Sequence, residues 1–427
     1  MSARWKQKIK ESKPGQILVM LALMIPVLIV FAGMAIDFGM IYVEQSALSR
    51  ALDAAALEGM RNLYQGNSTA QSLAQTAYTL NMSSTSQFTN NSITPTFSFS
   101  VGTDSNGNKL VNVSGTVTVN PFFLAIFNQF NQVSVSGSAQ ATRAKLVMSL
   151  VLDNSASMTR NGGSTALPPA VDSFINYFDD TQDHVAEIHF GTVATTGVAM
   201  TQPFKSAIIS NVGSISFQGG TFAEAALAAG QTQINTIAIP AGQNTVRVAV
   251  FFTDGWANMI EDTLTCKSGG GCSGSSGSHL TIYGGCAPPE AAVGWCHGAN
   301  SFCAMPGSSD STCSSNACSS CPPTTFPSQL SPPTMTQNNT NVSNEAKYRA
   351  EQVALSMQEE NPGVEIYALG MGDKVDMTYL QEIANDPASP SYNPNLPQGA
   401  AILAQTSADL NNAFLLIASK ILLRLTH

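Results

Sequence analysis

The chain has 427 residues, of which 44% are hydrophobic and 11% are charged, a composition that predicts a globular protein of two or three domains. Low charge combined with many Ser, Thr, Asn and Gly residues is typical of an exported surface protein. The formal net charge of −9 is unevenly placed, because residues 1–16 hold five basic side chains and one acidic one. The remainder is therefore strongly acidic, which argues against nucleic acid as a partner.

The first predicted element is a membrane-spanning helix. Residues 17–36 carry no charge and are numerous enough to cross a hydrocarbon core of about 30 Å as a helix. Basic residues precede this run and Asp37 follows it, so residues 1–16 should form a basic cytoplasmic segment while the remainder faces outward. A cleaved secretory signal is the alternative, but the run is long for one and no Ala-x-Ala-like site follows closely.

The helix is predicted to continue past the membrane. Residues 37–64 combine strong helix formers with apolar positions on one helical face, which predicts an extended amphipathic helix. The sequence from Gly33 to Asp37, followed by Leu52-Asp53-Ala-Ala-Ala-Leu57, resembles the amino-terminal segment of Tad (Flp) pilus-assembly proteins of the TadE/TadG type. The resemblance implies a bacterial pilus system, with the inner membrane and other pilus components as partners.

Residues 65–144 predict a small α+β, pilin-like region. The predicted elements are a helix over 70–80 and strands over 94–101, 109–119 and 133–142. The first two strands flank an Asn106-Gly107 turn, which is a hairpin signal. We expect an antiparallel sheet packed on the extended helix. The apolar run 122–127 predicts core filling and not a loop that touches the membrane, because it is very short.

Beyond residue 144, strands and helices alternate regularly, which predicts a doubly wound α/β domain over 145–427. The predicted strands are 146–153, 185–190, 246–253 and 364–369, with an edge segment over 198–204. The predicted helices lie over 171–178, from 221 onward, over 344–358, near 379 and over 407–421. Ser407 is predicted to cap the closing helix.

Oxygen-bearing side chains gather where three segments of this domain meet one edge of the predicted sheet. One strand ends in Asp153-Asn-Ser155-Ala-Ser157, another is followed by Asp254, and Gly-Gly-Thr221 opens a helix. Ligands of open α/β sheets bind in the crevice at the carboxyl ends of the strands, and Mg²⁺, Mn²⁺ and Ca²⁺ prefer oxygen ligands. The pattern therefore predicts a metal site. The alternative is that the two carboxylates only cap turns and helices.

The order Asp-x-Ser-x-Ser, then Gly-Gly-Thr, then Thr-Asp-Gly after an apolar strand resembles the metal-ion-dependent adhesion site (MIDAS) of von Willebrand factor A (VWA) domains. The resemblance implies a Rossmann-like VWA fold and a divalent cation, with Mg²⁺ expected first and Mn²⁺ or Ca²⁺ as alternatives. It implies that Ser155, Ser157 and Thr221 bind the ion through hydroxyls. Asp153 and Asp254 would either bind the ion directly or hold its ligands by hydrogen bonds. A carboxylate on a partner protein or matrix would complete the coordination.

A Gly-, Ser- and Pro-rich insertion over 262–342 holds all eight cysteines of the chain. An even number of cysteines in an exported segment predicts a disulfide framework that replaces a core. Zinc is the alternative, suggested by the Cys-x-x-Cys pair and by His297 beside a cysteine. The candidates are Cys266, Cys272, Cys286, Cys296, Cys303, Cys313, Cys318 and Cys321.

No Gly-x-Ser-x-Gly elbow, P-loop or pair of catalytic carboxylates occurs where a site would form, so catalysis is not expected. We interpret the chain as a metal-dependent adhesion component of a Tad pilus system, anchored in the cell membrane, with its carboxyl-terminal domain in the periplasm or outside, including at the pilus tip. Two alternatives remain: an anchored assembly factor without an external ligand, and a structural minor pilin whose metal site only stabilises the fold. Cleavage after Gly15 stays open, because Met20 stands where prepilins of that class have Glu.

Overall fold

The computed structural model describes residues 14–85, 95–126, 131–240, 242–264, 277–283, 294–297, 325–336 and 338–425. The chain divides into two compact units. The first unit takes in the chain up to Asp104 together with Lys109–Thr142, and the second takes in Ser105–Asn108 together with Arg143–Thr426.

A single long helix organises the first unit. Helix α1 (Pro14–Arg61) runs without interruption through the apolar segment and the amphipathic segment, as the sequence predicts. The large apolar side chains from Leu18 to Phe31 are exposed, whereas a buried face starts at Gly33 and recurs every three or four residues. A 3₁₀ turn then leads into α2 (Asn67–Thr85), which packs against α1.

A small sheet covers the buried face of α1. Its strands, in spatial order, are β1 (Thr96–Thr103), β2 (Lys109–Val119) and β3 (Val133–Arg143). β1 and β2 form the predicted antiparallel hairpin. Gly137 of β3 lets the sheet approach the helix, because a Cβ there would lie 3.1 Å from Leu52 Cδ1. The core joins Leu48 and Leu52 of α1 to valines of β2.

The connection between β2 and β3 differs from its prediction. It contains a 3₁₀ turn over Leu124–Ile126, and Leu124 is buried as predicted. Phe122 and Ile126, however, are each 71% exposed, so the prediction that the apolar run is core filling is wrong for these two side chains. Phe127 lies outside the described residues.

The second unit is built on a six-stranded sheet. Its strands are β4 (Lys145–Asp153), β5 (His184–Phe190), β6 (Ala194–Thr201), β7 (Thr245–Thr253), β13 (Glu365–Met371) and β14 (Ala400–Ala404). Their order is β14-β13-β7-β4-β5-β6. All neighbouring pairs are parallel except β5 and β6, which are antiparallel. β5 and β6 lie on one side of β4, and β7, β13 and β14 lie on the other, so the strand order reverses between β4 and β7. Open α/β sheets bind ligands in the crevice at such a reversal, which here lies at the carboxyl ends of β4 and β7.

Helices cover both faces of this sheet, which confirms the doubly wound fold. The helices are α3 (Ala156–Arg160), α4 (Gly163–Ile175), α5 (Lys205–Val212), α6 (Ala223–Asn235), α7 (Asn339–Gln358), α8 (Met377–Ala384) and α9 (Leu410–Leu425). One core joins α4, α5 and α9 to the sheet, and the other joins α6, α7 and α8 to its opposite face. Thr406, and not the predicted Ser407, caps the carboxyl-terminal segment, through a capping box with Asp409.

Short strands lie in the insertion, and the first of them begins three residues before it: β8 (Met259–Leu264), β9 (Gly277–Tyr283), β10 (Gly294–His297), β11 (Thr325–Pro327) and β12 (Thr334–Thr336). Phe326 of β11 is 1% exposed and belongs to the core beside α7. The cysteine predictions lie outside the described residues, apart from Cys296, whose backbone belongs to β10 and whose side chain is not described.

Candidate metal centre

The candidate site lies where β4 and β7 end. The two strands run side by side in parallel, and Leu152 is paired with Phe252. Asp153 and Thr253, one residue further along each strand, therefore reach the same edge of the sheet, and both are buried. Asp254 follows directly. The apolar strands thus carry two carboxylates into a position that solvent barely reaches.

Hydrogen bonds join four of the five predicted residues. The Asp153 carboxylate accepts the Ser155 backbone N–H at 2.7 Å and the Thr253 hydroxyl at 2.6 Å. The Asp254 carboxylate accepts the Ser157 hydroxyl at 2.6 Å. The Ser155 and Ser157 hydroxyl oxygens are 2.8 Å apart. The two carboxylates therefore hold the turn after β4 from both sides, and they bring its two hydroxyls together.

The segment that carries Thr221 docks against the same turn. The Ala156 backbone N–H donates to the Gly219 carbonyl at 3.2 Å, and a positive φ of 87° at Gly219 favours glycine there. Asn258 accepts the Thr221 backbone N–H at 2.8 Å through its side chain, and its own N–H donates to the Thr221 carbonyl at 3.1 Å. Thr221 is 3% exposed. All three predicted segments thus meet at one edge of the sheet.

The electrostatics of the site are unfavourable for two free carboxylates. Burial, and then the neighbouring Asp254 carboxylate, raise the pKa of Asp153 to about 7, against the lowering effect of the hydrogen bonds from Ser155 and Thr253. Burial also raises the pKa of Asp254, while Ser157, Asn161 and then Arg160 oppose that shift. Both ionised carboxylates would be accommodated best beside a cation. Donors at the site are oxygen atoms, which suits a hard divalent cation.

No group of three or more His, Cys, Asp and Glu side chains suited to a metal occurs within the described ranges. A metal at this edge of the sheet would therefore depend on hydroxyl oxygens together with the two carboxylates. Such a site keeps few negative charges around the ion, in contrast to an all-carboxylate cage.

Three further residues support the site and were not predicted. The Thr253 hydroxyl donates to Asp153, the Asn161 amide donates to Asp254 at 2.8 Å, and Asn258 holds the backbone of Thr221. Thr253 had a signal in the sequence, because it immediately precedes Asp254 at a strand end. The two asparagines had no such signal. Each lies in an irregular segment of the chain, and the sequence pattern does not determine the path of such a segment.

The order and direction of the strands, with helices on both faces, define the second unit as a VWA-type α/β domain. In agreement, residues 148–270 match the family model of the von Willebrand factor type A domain. Residues 15–62 match the family model described as putative Flp pilus-assembly TadE/G-like. The two matches fall on the two segments whose sequences resemble these families, and they confirm the TadE/G-like and VWA resemblances there.

Similar solved structures are distant in sequence. The proximal thread matrix protein 1 from the mussel byssus is 13% identical over 66% of this chain and 46% of that chain, with a TM-score of 0.36. A von Willebrand factor type A protein from Catenulispora acidiphila is 14% identical over 78% of this chain and 52% of that chain, with a TM-score of 0.37. This chain spans about half the length of both. The vWF domain of the type V pili tip protein Mfa5 from Porphyromonas gingivalis is 11% identical over 66% and 97% of the two chains, with a TM-score of 0.39. No curated protein matches the chain.

Proposed function

We propose that this protein is a membrane-anchored, metal-dependent binding component of a bacterial Tad (Flp) pilus system. The observation that carries the proposal is the pair of buried carboxylates, Asp153 and Asp254, with two serine hydroxyls drawn together between them. The TadE/G-like segment supplies the pilus context. A protein or matrix ligand with an acidic residue, and other pilus components, are the proposed partners.

In this proposal the hydroxyls of Ser155, Ser157 and Thr221 bind the ion. The carboxylates of Asp153 and Asp254 either bind the ion as well or accept hydrogen bonds that orient its ligands. The Asp254 carboxylate accepts the Ser157 hydroxyl and so orients it, while the Asp153 carboxylate accepts the Ser155 backbone N–H and so holds the turn that carries both serines. A bound divalent cation, with Mg²⁺ expected first and Mn²⁺ or Ca²⁺ as alternatives, would retain positive charge beside such neutral ligands and attract a partner carboxylate. Oxygen ligands of this kind suit all three ions.

Membrane anchoring is proposed from α1. Its apolar part has a mean hydropathy of 2.7 over an 18-residue window, and only 6% of that window is buried within the protein. The basic residues before it favour an amino terminus in the cytoplasm and a VWA domain in the periplasm or outside the cell. That oxidising location would allow the cysteines of the insertion to form disulfides.

A structural role for the site is the second candidate. The hydrogen bonds of Asp153 and Asp254 tie β4, β7 and α3 together without a metal. Under this alternative the protein would be a minor pilin or an assembly factor, and any ion would stabilise the fold without meeting an external carboxylate.

Titration with Mn²⁺, followed by electron paramagnetic resonance on the full chain in detergent micelles, tests the metal proposal. The wild type should bind one Mn²⁺ that Mg²⁺ displaces. Ser157→Ala removes a proposed ligand, so it should weaken binding by at least about tenfold. Ser206→Ala, which alters an exposed serine of α5, is the matched control and should bind as the wild type does. Equal Mn²⁺ affinity in Ser157→Ala and the wild type would contradict the proposal.

Acetate then separates the two candidate functions. If the ion has a coordination position for a partner carboxylate, acetate should displace water from bound Mn²⁺ and lower its effect on water proton relaxation. A bound Mn²⁺ whose relaxation effect does not respond to acetate would support the structural role.

A further inference from the structure

The connection between β2 and β3 is fastened to α1 at two points. We call its residues Pro121–Ile126 the foot. The Asp37 carboxylate of α1, which is fully buried, accepts the backbone N–H groups of Phe122, Phe123 and Leu124 at 2.9, 2.8 and 2.5 Å. Three backbone donors converging on one carboxylate satisfy a buried charge without a basic side chain. The foot is therefore held by one residue of the helix.

The second fastening point is Gly33. Its backbone lies under the Phe123 ring, because a Cβ added at Gly33 would lie 2.3 Å from two carbons of that ring, closer than any real contact. Gly33 is also the first buried position of α1, whereas the described side chains before it are exposed. The rest of the first unit thus packs against α1 only from Gly33 onward. Of all its parts, the foot contacts α1 closest to the amino-terminal end of the helix.

The foot lies beside the end of the apolar run. Gly33 precedes Asp37 by four residues, which is about 6 Å along a helix axis. Residues 17–36 would span about 30 Å as a helix, the thickness of a hydrocarbon core. The contact between Phe123 and Gly33 therefore falls within the last turns of the run, at the level where a bilayer core gives way to its headgroups.

The outer surface of the foot is apolar. Phe122 and Ile126 are each 71% exposed. Among the described residues of the first unit outside α1, the one other exposed large apolar side chain is Leu80 of α2. Exposed apolar groups are therefore concentrated where the first unit adjoins the membrane-spanning run, and they continue its exposed apolar surface.

We propose that the foot is a membrane-contacting element: Phe122 and Ile126 enter the boundary of the bilayer that α1 spans, and Asp37 fixes the depth of their insertion. The occupant of this surface is lipid, because the surface is continuous with a helix segment that is itself exposed and apolar. The inference rests on the proposed membrane anchoring. It adds a second attachment that restrains rotation and tilt of the first unit on its single helix.

Tryptophan fluorescence in vesicles that contain lipids brominated at different depths tests this proposal. Phe122→Trp places the reporter on the foot, where an exposed side chain tolerates the larger ring. Leu80→Trp is the matched control, since Leu80 is 63% exposed on α2, and its near neighbour Tyr78 lies beside Leu52, fifteen residues beyond Asp37, where both side chains approach Gly115. Leu28→Trp, in the apolar run, reports the anchor itself. All three substitutions are made in the full chain, and the wild-type signal is subtracted.

After this subtraction, Phe122→Trp should be quenched most by lipids brominated near the headgroup and Leu28→Trp by lipids brominated at greater depth, whereas Leu80→Trp should not be quenched. If Leu28→Trp is quenched while Phe122→Trp behaves as Leu80→Trp does, the foot proposal is overturned and the anchoring stands. If Leu28→Trp is not quenched either, both fail. Blue-shifted, unquenched emission from Phe122→Trp that depends on protein concentration would show that a second copy of the chain covers the foot, which also overturns the proposal.

Discussion

Replacing Asp153 by Asn should make the metal-free protein more stable while removing its response to metal. The substitution keeps the shape of the side chain and an oxygen that can accept the Ser155 N–H, but it removes one of two adjacent buried charges. A carboxylate kept only for the fold would give the opposite result, because its loss would destabilise the protein at every pH. The sign of the change therefore distinguishes a ligand from a structural cap.

The magnitude follows from the pKa of Asp153, which burial and then Asp254 raise from 3.8 to about 7. A shift of about three units corresponds to about 4 kcal/mol against the ionised form. Loss of the charge-assisted bond from Thr253 would offset about 2 kcal/mol of this. We therefore expect a gain of about 2 kcal/mol at pH 8, or about 4 to 8 °C in melting temperature for a domain of this size.

The gain should depend on pH. Because the folded pKa of Asp153 lies above the ordinary value, the wild type is most stable where this group is protonated and loses that stability as pH rises from about 4 through about 7. At pH 5 the carboxyl group is mostly protonated in the folded protein. The advantage of Asp153→Asn should therefore be small at pH 5 and fully developed at pH 8.

Thermal unfolding of the full chain in micelles, with EDTA and then with Mg²⁺, measures both effects. At 100 times its dissociation constant, a ligand stabilises the protein that binds it by about 2.7 kcal/mol. Mg²⁺ should therefore raise the melting temperature of the wild type and leave Asp153→Asn almost unchanged. Asp373→Asn, at an exposed carboxylate, should behave as the wild type does. The reasoning is refuted if Asp153→Asn is less stable than the wild type in EDTA at pH 8.

Three other substitutions follow, of which two test the stability of the domain and one tests the support of the proposed metal site. Asp183→Asn should lower the free energy of unfolding by about 3 to 5 kcal/mol in denaturant titrations, because it leaves the buried Arg143 guanidinium, 2.7 Å from the Asp183 carboxylate, without its counter-charge. Burial, and then Glu382, raises the pKa of Glu351 to about 8, so the stability that depends on protonated Glu351 is lost as pH rises from about 4.5 to 8. Glu351→Gln should remove that loss in melting curves between pH 5 and 9. Asn161→Ala should weaken Mn²⁺ binding about 10- to 100-fold in the resonance titration, since Asn161 orients Asp254; an unchanged affinity would contradict the role assigned to this asparagine.

The sequence predicts the main strands of the second unit because their signal is strong. The strands β4 and β7 are apolar runs buried on both faces, and their pattern does not depend on what surrounds them. The strand β14 and the helix α5 were missed. β14 is a run of five small or aliphatic residues at a sheet edge, and α5 is eight residues long, too short for a periodic pattern.

The sequence predicts those parts of the candidate site that lie at the ends of strands or at the start of a helix. Strand ends place Asp153 and Asp254 at one edge, and a helix start places Thr221 there as well. The pairing of β4 with β7 then brings Thr253 to Asp153, but that neighbour is known only once the strand order is known. The contact of Asn161 with Asp254 depends on the path of a turn, which composition does not determine.

The foot shows why a local rule can fail. A short apolar run is more often core than membrane contact, and no sequence pattern indicates that Asp37 accepts three backbone N–H groups some 85 residues further along the chain. That interaction turns the loop so that Leu124 faces inward while Phe122 and Ile126 face outward. A tertiary hydrogen bond, and not hydropathy, decides which apolar residues of the loop are buried.

The hydrogen bonds around Ser157 also explain how the proposed site would bind an ion without rearranging the chain. A serine hydroxyl has one proton and two lone pairs. Ser157 donates its proton to Asp254 and accepts the proton of the Ser155 hydroxyl 2.8 Å away, so Ser157 keeps one lone pair for an ion and Ser155 keeps both. Asn161 donates to the other oxygen of the same carboxylate and thereby fixes its orientation. The hydroxyl is thus aligned before an ion arrives, and little conformational entropy remains to be lost on binding. The two carboxylates that destabilise the empty domain are therefore the groups that would favour the cation, which is why Asp153→Asn should affect the metal-free and metal-bound proteins in opposite directions.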